Sequence, residues 1–298
     1  MRILIAGASG TIGTALVQQL SGAHDVHRLV RRKPANPDES YWDPSRGEID
    51  QSAIEDADAV VNLSGAGIAG GLWTRSYKEL LYSSRLKPTR TLVDAMVRAK
   101  NAPAVFISQS ASGYYGDRGD EVLTESSSSG ATILADICRR WEAEAHRAPS
   151  PVRVVTPRTG IVMTRGGGAL PKLLLPLRLY GGGPIGSGQQ WWPWITMTDQ
   201  VRAMEFLLTA PIEGPVNLGA PEPAQVGTIV ADLGNALHRP STLRIPEKML
   251  KVLGGRLAYE LLLVSARMEP RVLTSAGFTF EQSTSRDLAD WVRASLAT

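Results

Sequence analysis

The sequence has few features that suggest covalent cross-linking or insertion into a membrane. Its 298 residues include one cysteine, Cys138, so no intramolecular disulfide can form. No apolar run reaches the roughly 18 residues of a membrane span, because prolines and charged residues interrupt the leucine-rich stretch at 169–178. The apolar run at 1–7 is too short for a signal-peptide core. We therefore expect a cytoplasmic protein with no membrane-spanning segment.

Charge of one sign is not in excess either. The 32 Lys and Arg residues nearly balance 29 Asp and Glu residues, and the basic residues are spread along the chain, so a nucleic-acid partner is not expected. Hydrophobic residues at 43% are ordinary for a globular protein. The four histidines lack the spacing of metal ligands, so no metal site is expected. They are His24, His27, His146 and His238.

Apolar strand-like runs alternate with amphipathic helical segments through the first half of the chain. The strand-like runs are Ile3 to Ala6, Val26 to Val30, Ala59 to Leu63, Val105 to Ser108 and Val152 to Val155. The helical segments are Ile12 to Leu20, Leu86 to Ala99 and Leu134 to Ala145. This order predicts an α/β fold with a Rossmann-type, doubly wound parallel sheet. Ligands of such a sheet bind outside the carboxyl ends of its strands.

From about residue 164 the chain becomes rich in glycine and proline. We therefore predict a dinucleotide-binding domain at 1–163, to which some later segments return, and a smaller substrate lobe at 164–298. Its C-terminal block, 245–298, is predicted to be mainly helical, with a strand-like stretch at 278–280 and a last helix at 285–296. Three tryptophans either roof a substrate pocket or pack between the lobes. They are Trp191, Trp192 and Trp194.

The segment at 7–13 has the glycine spacing and the setting of a dinucleotide fingerprint, because it follows a strand and opens a helix. Gly7 permits the tight turn, Gly10 lets the backbone approach a pyrophosphate, and Gly13 allows the helix to pack against the strand. Free N–H groups at the helix start receive the anion. The predicted contact residues are Gly7, Ser9, Gly10, Thr11, Ile12 and Gly13.

The second strand ends in Arg31 and Arg32, where an NAD-preferring site has an acidic residue for the ribose 2′-hydroxyl. Guanidinium groups suit a 2′-phosphate, because they bind phosphate through charge-assisted hydrogen bonds. The sequence therefore predicts NADP(H) as the cofactor.

Several motifs together resemble those of one family. They are Gly7 to Gly13, Asn62 to Gly65, Ser84-Arg85 with Thr89, Gly113 to Asp117, Trp141 to Ala143, Arg158 to Gly160, Gly182 to Gly188, Trp194-Ile195, Pro270 to Leu273 and Gly277-Phe278. Over almost its whole length, the chain resembles the atypical extended short-chain dehydrogenases/reductases, specifically their epimerase-like, cell-division-inhibitor-like family with its own C-terminal domain. This resemblance implies that Leu63 and Ser64 pass beside the adenosine or ribose and that Arg85 reaches the cofactor. The wider superfamily usually has Asn at the position of Arg85.

The largest departure from the superfamily concerns its catalytic Tyr and Lys, which lie four residues apart on one helix. Aligned on Glu142, that pair falls at Leu134 and Cys138, or one residue earlier. The segment 131–141 contains neither Tyr nor Lys, so no such alignment restores the pair.

Other side chains could supply the missing acid or base. In the superfamily a Ser after the fifth strand holds the substrate carbonyl, and we favour Ser110, then Ser112, for that task. Tyr115, or its neighbour Tyr114, could act as acid, although the same tyrosines could simply pack the loop. Cys138 is weighed as a nucleophile and set aside, because no histidine lies near it in sequence.

The sequence thus favours an NADP(H)-dependent oxidoreductase or epimerase-like enzyme with nonstandard acid/base residues, acting on an unknown small molecule. The alternative is a non-catalytic NADP(H)-binding sensor or protein-interaction module. In either case we expect a monomer or homodimer.

Overall fold

The chain divides into two compact units. A computed structural model of the protein describes residues 1–248 and 259–294. The first unit comprises 1–111, 137–158 and 201–216, and the second comprises 112–136, 159–200 and 217–298. The chain therefore passes between the units several times, and 201–216 returns to the first. The functional division into a cofactor domain at 1–163 and a substrate lobe at 164–298 stays a prediction.

Strands and helices alternate along the chain. The strands are β1 Arg2–Ala6, β2 Asp25–Val30, β3 Glu39–Asp43, β4 Glu48–Ile49, β5 Ala59–Asn62, β6 Val105–Ser108, β7 Ser110–Ala111, β8 Val122–Leu123, β9 Arg153–Thr159, β10 Ile161–Thr164, β11 Gly167–Gly168, β12 Trp191–Trp192, β13 Trp194–Thr196, β14 Gly214–Leu218, β15 Ala224–Gln225 and β16 Arg267–Met268. The α-helices are α1 Thr11–Leu20, α2 Gln51–Glu55, α3 Arg75–Arg98, α4 Ile133–Ala145, α5 Leu170–Arg178, α6 Met197–Thr209, α7 Val226–Ala236, α8 Arg271–Ser275 and α9 Ser285–Ala294. A 3₁₀ turn covers Ser112–Tyr114, and a π-helical turn covers Tyr259–Leu263.

The main sheet has the strand order β14-β9-β6-β5-β1-β2-β3-β4. The pairs from β3 to β9 along this order are parallel, and β4 is added antiparallel on β3. The order reverses at β1, since the chain continues to β2 on one side and later to β5 on the other. The predicted Rossmann-type α/β fold is confirmed, and this reversal places the ligand crevice at the carboxyl ends of β1 and β5.

The sheet of the first unit is held by continuous apolar strands. Residues 3–6 of β1 are completely buried, as expected for a parallel strand covered on both faces. Helix α1 buries Gly13, Leu16 and Leu20, whose spacing of three and four residues forms one helical face. The glycine turn between β1 and α1 is therefore fixed at both ends by core packing.

Two of the predicted elements were wrong, and others were not predicted. Strand β3 was not predicted, and α3, predicted to begin at Leu86, begins at Arg75. No strand forms at 278–280. The predicted last helix is present to Ala294, and its final residues lie outside the described ones.

The described residues of the second unit form three small sheets and an apolar cluster. Trp192 and Trp194 are almost completely buried in that cluster, together with side chains of α5, α7 and α9. Through 1–248 and 259–294 no helix is long and apolar enough to cross a membrane.

Candidate nucleotide site

The turn after β1 can be formed only with glycine at two of its positions. Gly7 has a φ of +81°, and a Cβ there would lie 2.8 Å from the carbonyl carbon of Leu63. A Cβ at Gly13 would lie 2.2 Å from the carbonyl oxygen of Gly7. Both distances are far below ordinary contact, so these two glycines are required by the fold itself.

Gly10 differs from these two glycines. A Cβ at Gly10 would meet only the Gly7 carbonyl oxygen, at 3.3 Å. Gly10 is the N-cap of α1, and it has no side chain to satisfy the first helical N–H groups. Ser9, Gly10 and Thr11 are exposed. The N-terminus of α1 therefore presents open donors and a favourable dipole to an anion.

The loop after β5 runs directly beside this turn. The Leu63 amide donates to the Ala6 carbonyl at 2.9 Å, and the Ser64 amide donates to Asn62 Oδ1 at 3.1 Å. The hydroxyl oxygen of Ser64 is buried and has no hydrogen-bond partner among the described residues. Buried hydroxyls normally have a partner, so this unsatisfied group fits a site that a bound nucleotide would complete.

The two arginines after β2 have different surroundings. Arg32 forms a two-pronged ion pair with Glu39 of β3, with bonds of 2.8 and 2.7 Å, while the Ala35 amide donates to the same carboxylate. The Arg32 guanidinium is the largest cause that lowers the pKa of Glu39, to about 2. Arg31 is exposed and forms no ion pair with any described residue. Arg31 is therefore the arginine whose charge is free for a 2′-phosphate.

A buried hydrogen-bond hub connects three of the sequence motifs. The Thr89 hydroxyl donates to the Arg85 carbonyl at 2.8 Å and accepts from the Asn62 amide and the Trp141 indole, each at 2.9 Å. It joins α3 to the end of β5 and to α4. The hub therefore fixes the loop that carries Ser64 and the helix that carries Arg85.

Arg85 itself is buried in the first unit. Its guanidinium donates to the carbonyl oxygens of Leu81 and Ala66, both at 3.1 Å. The guanidinium carbon lies 5.3 Å from the centre of the Trp141 ring. Burial lowers the pKa of Arg85. An exposed position on the helix surface is therefore excluded for this residue.

Ser110 belongs to a buried ionic network. Its hydroxyl donates to Glu142 Oε1 at 2.6 Å, and Arg158 holds the same carboxylate through two bonds of 2.9 Å. Because a hydroxyl has a single proton, Ser110 cannot donate to a substrate carbonyl while this bond is intact.

Cys138, the residue at the expected lysine position, has an unreactive thiol. Cys138 is buried, and this burial raises the pKa of its thiol to about 12, with a further contribution from Glu142 that Arg85 opposes. A thiol with so high a pKa supplies almost no thiolate at neutral pH. This agrees with setting Cys138 aside as a nucleophile.

The remaining tentative catalytic residues lie in the second unit. Tyr115 is completely buried, and its hydroxyl lies 2.6 Å from Asn217 Oδ1 and 3.0 Å from the Thr124 carbonyl oxygen. Tyr114 packs edge-on against it, with ring centres 5.3 Å apart. Ser112 is partly exposed, and its hydroxyl makes no hydrogen bond to a described residue. Of the three candidates, Ser112 alone has an uncommitted hydroxyl.

The three tryptophans also separate by environment. Trp192 and Trp194 belong to the core of the second unit. Trp191 stays partly exposed, with its indole N–H on Asp120 and the Arg267 guanidinium 4.6 Å from its ring. Trp191 therefore remains available to a ligand. Within the described ranges no group of three or more potential ligands could hold a metal ion.

Sequence reasoning missed five residues that organise these surroundings. They are Glu39, Thr89, Glu142 as a carboxylate partner, Arg158 and Asn217. Their partners lie on other elements, and no local pattern reveals such pairing. The one available signal was that Thr89, Glu142 and Arg158 fall inside the motif stretches of the resemblance.

Comparison with known families supports the resemblance. A family model described as "NAD dependent epimerase/dehydratase family" matches residues 3–219. A second model, described as "Domain of unknown function (DUF1731)", matches residues 245–290. The expected combination of an epimerase-like chain with its own C-terminal domain is confirmed.

Individual relatives agree over nearly the whole chain. Epimerase family protein Mb2239 of Mycobacterium bovis is 42% identical over 286 residues, which cover 95% of this chain and 94% of that protein. The crystal structure of human epimerase family protein SDR39U1 (isoform 2) with NADPH has a TM-score of 0.89 at 31% identity and 99% coverage of both chains. A nucleoside-diphosphate sugar epimerase from Corynebacterium glutamicum has a TM-score of 0.76 at 33% identity, covering 97% of this chain and 57% of that one.

Proposed function

Since this chain belongs to the NAD dependent epimerase/dehydratase family, we propose that it binds NADP(H) in its first unit and transfers hydride to or from a small molecule. The observation that carries the proposal is the turn at 7–13, whose uncapped helix start faces the strand-order reversal, with the free Arg31 at the end of the neighbouring β2. The human relative solved with NADPH supports the choice of nucleotide.

The residues present divide the work of holding the nucleotide. The N–H groups at the start of α1 would bind the pyrophosphate, and Gly10 leaves the space for it. Arg31 would bind the 2′-phosphate, with Arg32 positioned beside it by Glu39. Leu63 and Ser64 would line the nucleotide from the β5 side. The cofactor, when bound, supplies or accepts the hydride.

The proton that accompanies the hydride must come from a nonstandard source. The helix α4 offers neither Tyr nor Lys at the required positions, Ser110 is bound to Glu142, and Tyr115 is bound to Asn217. We therefore propose that Ser112, or a water it holds, carries the proton. We further propose that the second unit selects the substrate and that the ring of Trp191 contacts it.

We also propose a cytoplasmic location, in keeping with the single cysteine.

A rival function is favoured by the hydrogen bonds that Ser110 and Tyr115 make within the protein. A protein that senses NADP(H) without turning over substrate would keep the glycine turn and Arg31, and it would not need Ser110 and Tyr115 free for catalysis. Such a protein would bind NADP(H) and transfer no hydride to any acceptor.

Loss of nicotinamide absorbance during single-turnover mixing of bound NADPH with a panel of ketones, aldehydes and nucleotide sugars tests the enzyme proposal. We expect hydride transfer to at least one acceptor, and we expect Ser112→Ala to slow it by about tenfold or more. Ser128→Ala, which removes an exposed hydroxyl of the same unit, is the matched control. NADPH binding without transfer to any acceptor would favour the sensor, and transfer indifferent to Ser112→Ala would exclude the proposed proton source.

A further inference from the structure

The buried Arg85 has no acidic partner in the part of the chain that the structure describes. The residue is 8% exposed, and none of its described neighbours within ion-pair distance is an Asp or Glu. The Glu142 carboxylate on the neighbouring α4 is held by Arg158. A buried charge normally has a counter-ion, because its removal from water is costly. Within 1–248 and 259–294, Arg85 therefore lacks the counter-ion that a buried charge normally has.

The guanidinium is held in place by neutral groups. Its bonds go to the carbonyl oxygens of Leu81 and Ala66, with a longer one of 3.5 Å to the Ser84 hydroxyl. A guanidinium has five N–H donors, and these contacts leave Nε and part of Nη2 without an acceptor among the described residues. Arg85 is thus positioned rigidly and still has donors to offer.

Arg85 packs against α4, the helix that carries the catalytic Tyr and Lys in the superfamily. Its guanidinium carbon lies 5.3 Å from the ring centre of Trp141, which follows Cys138 by three residues on that helix. The nucleotide's phosphates have their own donors at α1 and Arg31. The charge of Arg85 is therefore available to a ligand other than the nucleotide.

We propose that Arg85 is the anion-binding group of the substrate subsite in the first unit and that the substrate carries a carboxylate or phosphate group. The inference rests on the proposed NADP(H) function, because it assigns the nucleotide phosphates to other residues. Arg85 acts here as a binding cation and not as an acid, since a guanidinium does not release its proton in a protein. Two N–H groups in one plane suit the two oxygens of such an anion.

Calorimetric titration with two probes, oxalate and inorganic phosphate, tests the assignment on both the free and the NADPH-saturated protein. At least one probe should bind the wild type. Arg85→Gln should weaken that binding by about tenfold or more, and Arg85→Lys should restore part of it. Arg75→Gln, which removes an exposed arginine from the same helix, should leave it unchanged. NADPH affinity, measured separately, should stay within about threefold in every variant.

Tryptophan fluorescence of the wild-type protein provides a second readout, which remains usable if Arg85→Gln does not fold. Because the guanidinium lies over Trp141, the bound probe should change the fluorescence of the wild type and not that of Trp141→Phe. Absence of binding by both probes, or equal binding to Arg85→Gln, would overturn the proposal. Loss of NADPH affinity in Arg85→Gln would instead assign Arg85 to the nucleotide. Failure of the wild type to bind NADPH would overturn the proposed function, whatever the probes do.

Discussion

The nucleotide end of the first unit and the region around the missing catalytic pair are built in opposite ways. Around α1 the polar groups are open, because the helix start is uncapped and, among the described residues, the Ser64 hydroxyl has no hydrogen-bond partner and Arg31 has no ion pair. At the expected Tyr and Lys positions of α4 the acid/base candidates are closed, since Ser110 is bound to Glu142 and the Cys138 thiol is buried, whereas Arg85 beside Trp141 keeps the donors proposed above for a substrate anion. An open region is ready for a ligand, whereas a closed one stabilises the fold. The nucleotide end is therefore arranged for binding, and the acid and base of the proposed enzyme would have to lie outside the Ser110 and Cys138 region.

The largest effect should come from filling the open turn. Gly10→Val places a side chain where the pyrophosphate must lie, so we expect loss of measurable NADP(H) and NAD(H) binding in a protein that still melts cooperatively. Gly13→Val is the matched control, because its Cβ would clash with the Gly7 carbonyl oxygen, and it should lower the melting temperature instead. Calorimetry with parallel thermal melts measures both. Unaltered binding by Gly10→Val would mean that the turn is only structural.

The closed region predicts slow chemistry on standard substrates. A positioned general acid contributes about 10²–10⁴-fold to rate, and the segment 131–141 has no Tyr or Lys to provide it. The turnover rate on ordinary ketone and sugar-nucleotide substrates should therefore be lower by that factor than in a superfamily member with the Tyr/Lys pair, or turnover should be absent. Steady-state assays against a superfamily member with an intact pair measure this. Rapid turnover that survives Ser110→Ala, Ser112→Ala, Tyr114→Phe and Tyr115→Phe would place the active site elsewhere.

An effect of intermediate size should separate the two arginines. Arg31→Ala should remove most of the preference for NADPH over NADH, which we expect to be about tenfold or more, or about 1.4 kcal/mol. Arg32→Ala should chiefly lower the stability, because it removes the two-pronged ion pair of the buried Glu39 carboxylate and leaves it only the longer pair with Arg28, at 3.7 Å, and the Ala35 amide. Titrations with both nucleotides and urea unfolding of both variants distinguish these outcomes. A larger loss of preference in Arg32→Ala would reverse the assignment.

How well each region could be predicted depends on how far apart in the sequence its contacting residues lie. The turn at 7–13 was predicted because its glycines, strand and helix are contiguous in sequence. The partnership of Arg32 with Glu39 was missed because it depends on the pairing of β2 with β3, a strand whose residues, ESYWD, show no continuous apolar run. The Thr89 hub was missed for the same reason, since it needs residues 62, 89 and 141 to meet. Only the fold creates such contacts.

The smallest effect concerns Tyr115. If its hydroxyl is structural, Tyr115→Phe leaves Asn217 Oδ1 without that donor and should lower the free energy of unfolding by about 1–2 kcal/mol. Hydride transfer and NADPH affinity should not change. Urea unfolding and single-turnover kinetics on the same preparation provide the two readings. A loss of transfer at unchanged stability would show that the tyrosine is a catalytic acid.

The contrast between an open and a closed region depends first on the nucleotide. The most direct test is titration of the unmodified protein with NADPH and with NADH, followed by energy transfer from its tryptophans to the reduced nicotinamide. The structure predicts saturable binding of both, with a dissociation constant for NADPH at least about tenfold below that for NADH. Equal dissociation constants, or no binding of either nucleotide, would contradict the account.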